Sequence, residues 1–63
     1  MNNNYVIKAS DGEVFGGWNN LGMIVMKAPE EKNLAYRMSR TVALRNLEKV
    51  REFTRKECEV IAV

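Results

Sequence analysis

The sequence has no histidine, one cysteine and one proline. Without histidine the chain lacks the side chain that most often moves protons near neutral pH, and the commonest metal ligand. A lone thiol cannot close an internal disulfide. Histidine-based catalytic triads, zinc sites and disulfide scaffolds are therefore excluded, and no cofactor or metal is expected. No apolar run approaches the roughly 20 residues needed to cross a bilayer, and the opening Met1-Asn2-Asn3-Asn4 is not the basic start of a secretory signal. These absences predict a soluble, cytoplasmic protein with no membrane partner. The 63 residues form one small domain, 1–63. A domain of about 60 residues buries only roughly 60% of the surface its unfolded chain exposes, which leaves no volume for a deep, walled active site. The chain is not expected to be an enzyme.

What is present reads as an α+β domain. Tyr5 to Ala9 is rich in strand-favouring residues, and Asp11-Gly12 supplies a turn suited to the positive φ angles of a type I′ hairpin. Glu13-Val14-Phe15 is expected to pair back on the first strand. Tyr5, Ile7 and Ala9 share one face of that strand and Val6 with Lys8 the other, so it is apolar on nearly both sides and calls for a second neighbour. Gly16-Gly17-Trp18-Asn19-Asn20-Leu21-Gly22 interrupts the pattern and places Trp18 on a bend or bulge. Met23 to Lys27 is the next extended segment.

Two readings of the following stretch compete. Pro29 either opens a long helix, with Glu30 and Glu31 in its first turn, running to Arg55, or it closes a hairpin loop. In the second reading Leu34, Tyr36 and Met38 alternate along a fourth strand, and the helix spans residues 39–55 with Ser39 or Thr41 as N-cap. The second is preferred, because the first makes a very long helix for so short a chain. The stripe Ala43, Leu47, Val50, Thr54, widened by Leu44 and Phe53, gives this helix a face that the sheet must cover. Cys58 to Val63 is β-rich and is expected to return beside the first strand. The outcome is an antiparallel sheet of three to five strands with one helix across it.

Cys58, in a strand and without a histidine to activate it, reads as a structural residue. The carboxylates read as solvated, since Glu48 and Glu52 lie one helical turn apart among arginines and none forms an acidic metal loop. The glycines are not followed by Gly-Lys-Ser/Thr and do not make a phosphate loop. Charge is unevenly spread: seven of the ten basic residues, against two acidic ones, lie within residues 37–56. Arg45, Lys49, Arg51, Arg55 and Lys56 are thus candidates for partner contact, with nucleic acid as an alternative partner that would bind with steep salt dependence. Trp18, on its Gly/Asn-rich bend, is a candidate interface anchor. Met23 and Met26, with Met38, suit an adaptable contact surface.

The YVIKASDG opening, the Arg-rich helix and the KECEVIAV ending resemble the small accessory proteins of bacteriophage and prophage genomes. The resemblance implies a stoichiometric inhibitor or adaptor of a host enzyme, including transcription and anti-phage defence machinery, in the host cytoplasm. It supplies no motif from which a functional residue transfers. The expected function is a non-enzymatic protein-binding module acting on a host protein by surface occupation. A homodimer is a second way to cover the sheet face that one helix leaves open.

Overall fold

The computed structural model describes residues 3–63. Met1 and Asn2, read above as part of a non-basic start, lie outside them. The elements are β1 (Tyr5–Ala9), β2 (Val14–Trp18), β3 (Ile24–Lys27), a 3-10 segment (Pro29–Leu34), α1 (Arg40–Thr54) and β4 (Cys58–Ala62). The strands form one antiparallel sheet in the order β3-β2-β1-β4. The α+β class follows, and the C-terminal strand does return beside the first: Tyr5 through Ala9 pair with Ala62 through Cys58. Among the described residues no helix is long and apolar enough to cross a membrane.

The first hairpin does not close with the expected two-residue type I′ turn but with a loop one residue longer. Ala9 donates its N–H to the Glu13 carbonyl at 2.8 Å, and Gly12 donates to the Ala9 carbonyl at 3.0 Å. The loop is therefore Ser10-Asp11-Gly12, and Gly12 at φ 96° takes the left-handed position that closes a three-residue loop. Asp11 keeps a negative φ and accepts the Glu13 N–H at 3.1 Å instead. The second hairpin repeats the device. Asn19 donates to the Met23 carbonyl at 2.9 Å, Gly22 donates to Asn19 at 3.0 Å, and Gly22 has φ 77°.

Ser39 caps α1, its Oγ accepting the Val42 N–H at 3.3 Å. The helix ends on Arg55, whose φ of 59° is left-handed and whose N–H bonds the Arg51 carbonyl. α1 lies over β1 and β4. Beneath it Ile7, Ala9, Phe15, Met38, Ala43, Val50 and Cys58 form the core, with Tyr5, Ile24, Met26, Val42, Leu47 and Val60 packed around them. The buried stripe differs from expectation at its borders. Leu44 and Phe53 are exposed, while Asn46 is buried, its amide lying 3.9 Å from the Met38 sulfur. Cys58 is in the core, as a structural cysteine would be.

The preferred reading of the Pro29 stretch holds for the helix, which spans Arg40–Thr54 behind its Ser39 cap, but not for the hairpin loop and fourth strand before it. Pro29 does open a helical segment with Glu30 and Glu31 in its first turn, but this is a 3-10 segment that ends at Leu34, and Ala35 is already extended. Such runs are short because their hydrogen-bond geometry is poor. The expected fourth strand shrinks to a wedge. Tyr36 donates to the Phe15 carbonyl at 2.8 Å, and Met38 exchanges both backbone hydrogen bonds with Tyr5. β1 and β2 are thus joined directly only near their hairpin, at Lys8 and Val14, and farther along through residues 36–38. This wedge carries the chain from one face of the sheet to the other.

The helix-free face is also less open than one helix and one sheet imply. Val6 and Val14 point to it and are only 3% exposed. Pro29 closes over this face at the Gly12 end, and together with Lys32 and Ile61 it borders a groove of about 570 Å³ above Val6.

Candidate partner-binding surface

Trp18 owes its position to a bulge. In a regular strand Phe15 and Trp18, three residues apart, would point to opposite faces. The register between β2 and β3 shifts between Phe15 and Trp18, where Gly16 and Gly17 stand opposite Val25, and Gly17 has φ 92°. The extra residue brings both rings to one side, their centroids 5.1 Å apart at 85°. Tyr36, delivered by the wedge, completes the group at 5.9 Å from Phe15 and 5.5 Å from Trp18. All three pairs meet edge to face, the arrangement that the ring quadrupoles favour. Phe15 is fully buried and anchors the group, whereas Trp18 is 45% exposed and Tyr36 43%. Two preorganised aromatic rings therefore face solvent on a rigid base.

Leu21 and Met23 belong to the adjoining turn. Asn19 Oδ1 accepts the N–H groups of Leu21 at 2.8 Å and Met23 at 3.0 Å, which fixes the loop. Leu21 is 83% exposed and Met23 53%. The sequence contains no charged residue between Glu13 and Lys27, so the whole β2-β3 hairpin is electrostatically blank in a chain that is 29% charged.

The basic candidates are distributed differently. Lys56, just past the helix, bridges Asp11 and Glu13 of the first hairpin, its Nζ 3.2 Å from Glu13 Oε1. The hydrogen bond from Lys56, and then the Glu13 N–H, hold the Asp11 carboxyl below its ordinary value; Asp11 and then Glu13 raise the Lys56 ammonium. Arg51 pairs with Glu48 at 3.1 Å and reaches the Cys58 carbonyl at 3.4 Å. Both residues are thus committed to contacts within the chain. Arg45, Lys49 and Arg55 are exposed on α1, on the same surface as the acidic Glu48 and Glu52.

Of the sequence-derived candidates, Trp18 and Met23 flank the same turn, but Trp18 shares the helix-side face of its partner Ile24 and Met23, one residue out of phase, does not. Met26 lies half-buried against the core, and Met38, named with it as a contact methionine, is a core residue at 3% exposure. The basic residues do not converge with Trp18. Sequence reasoning passed over Tyr36, which looked like one residue of an ordinary strand. The uncharged run from Val14 to Met26 was the signal that could have found the surface. No family model matches the chain, nor does any curated protein or solved structure.

Proposed function

We propose that this chain is a non-enzymatic protein-binding module that acts on a host protein by occupying its surface, as an inhibitor or adaptor in the host cytoplasm. The observation that carries the reading is the exposed Trp18–Tyr36 pair, held on buried Phe15. Tryptophan and tyrosine are the residues most enriched where binding energy concentrates, and charge is depleted at interface centres. Rings locked in place before binding lose little side-chain entropy on docking. The partner is accordingly a protein with an apolar cleft. The internal pairing of Lys56 and Arg51 leaves the nucleic-acid alternative with fewer cations to follow a phosphate backbone.

The test is capture from a host lysate with the wild-type chain and with a Trp18→Ala variant, each with and without nuclease. A protein held in stoichiometric amount by the wild type, insensitive to nuclease and lost with the variant, is the expected result. Capture that disappears with nuclease, or that the variant retains, overturns the reading.

A further inference from the structure

We infer that β3 is a self-pairing edge, through which two copies of this chain join their sheets into one. The inference goes beyond the surface described above, because its occupant is a second copy and its contacts are backbone hydrogen bonds along β3. The sheet has two outer strands, β4 and β3, and they are treated differently. Proteins usually blunt such edges with charge, proline or a bulge on the edge strand itself. β4 carries Glu59, and the Arg51 guanidinium reaches its Cys58 carbonyl. β3 has the sequence Ile24-Val25-Met26-Lys27, with one charge at its end. That charge does not guard the edge: the Lys27 stem lies across Gly16 of β2, so close that a β-carbon at Gly16 would stand 2.8 Å from Lys27 Cγ. The bulge falls in β2, opposite Val25, so the extra residue belongs to the inner strand.

Two-fold symmetry limits how β3 can meet its copy. Antiparallel strands of one continuous sheet place residues of the same face opposite each other, so the register must bring together positions of like parity. A register centred on Val25 sets it against the second copy's Val25. Ile24 then faces Met26 on the helix side, and Lys27 at each end faces the exposed Met23. Every central pair is apolar and no like charges meet, which is what a self-complementary strand requires.

Sedimentation velocity of the full chain over a range of micromolar concentrations tests this, alone and with Val25→Glu and Val25→Lys. The wild type is expected to show a concentration-dependent dimer. Each variant alone places like charges face to face and is expected to be monomeric, whereas an equimolar mixture regains the dimer as a Glu–Lys pair. A wild type that stays monomeric at high micromolar concentration overturns the inference, as does a mixture that fails to associate while both variants remain folded. If a substitution unfolds the chain, hydrogen exchange on the wild type decides. Protection of the β3 amides that rises with protein concentration supports pairing, and protection independent of concentration refutes it. Trp18 variants bear on host-protein capture and Val25 variants on self-association, so the two readings fail separately.

Discussion

Gly17→Ala is the substitution that most sharply probes how Trp18 is presented. Gly17 has φ 92°, a region that residues with a β-carbon rarely adopt, and its β-carbon would stand 3.2 Å from Tyr36 Cδ1. Backbone strain of this kind costs about 1–3 kcal/mol. Alanine also restricts the unfolded chain, which offsets roughly 0.4–1 kcal/mol of that cost. A net loss of about 1–2 kcal/mol is expected, against a total stability on the order of 3–9 kcal/mol for a domain this size. The corresponding fall in Tm is roughly 5–15 °C. Urea and thermal unfolding followed by circular dichroism measure the loss, and the fluorescence of Trp18, the one tryptophan in the chain, reports locally. Gly22→Ala is the matched comparison, since its φ is 77° but no atom lies within 4 Å of its β-carbon position. It should lose stability while leaving the near-ultraviolet signal of the Trp18–Tyr36 pair unchanged, whereas Gly17→Ala should alter both. Wild-type stability and an unchanged aromatic signal in Gly17→Ala would refute the bulge as the device that sets Trp18.

The helix ends and the ion pairs yield further expectations. Ser39→Ala removes the Val42 cap and should cost about 1 kcal/mol in urea unfolding. Arg55→Gly relieves a left-handed residue at the helix end and should stabilise by about 0.5–1 kcal/mol by the same assay. Because the Asp11 carboxyl is lowered in the fold, its contribution is complete above the unfolded value of about 3.9 and is lost as pH falls through the lower folded one. The raised Lys56 ammonium contributes fully below about 10.4 and is lost as pH rises through its higher folded value. Carboxyl NMR titration of Lys56→Met should therefore move the Asp11 midpoint upward, with the Glu13 N–H still holding it somewhat below ordinary.

Local signals with strong physical meaning were legible in the sequence. The alternation of Tyr5, Ile7 and Ala9, the Ser39 cap and the apolar run from Cys58 fixed three elements and the pairing of the last strand with the first. The Pro29 stretch was not legible, because Leu34, Tyr36 and Met38 alternate as a strand would while their backbone partners, Phe15 and Tyr5, belong to two different strands. Nothing local reveals that β1 and β2 leave room for a wedge. The burial of Asn46 in place of Leu44 depends likewise on where α1 sits over β4. For the surface, Trp18 could be picked out from residue type and turn context. Tyr36 reaches Trp18 only through the wedge, and the basic residues looked available because Asp11 and Glu13 are distant in sequence from Lys56.

The proposed binding runs through the Trp18 end of the sheet and not through the basic face of α1. The most direct measurement is the affinity of the captured host protein for three purified chains: wild type, Trp18→Ala and Arg45→Glu/Lys49→Glu. Loss of an aromatic anchor at an interface centre costs about 2 kcal/mol or more, so Trp18→Ala should weaken binding by at least about thirtyfold. The charge-reversed helix should bind within a few-fold of wild type. Wild-type affinity in Trp18→Ala together with a collapse in Arg45→Glu/Lys49→Glu would contradict the account.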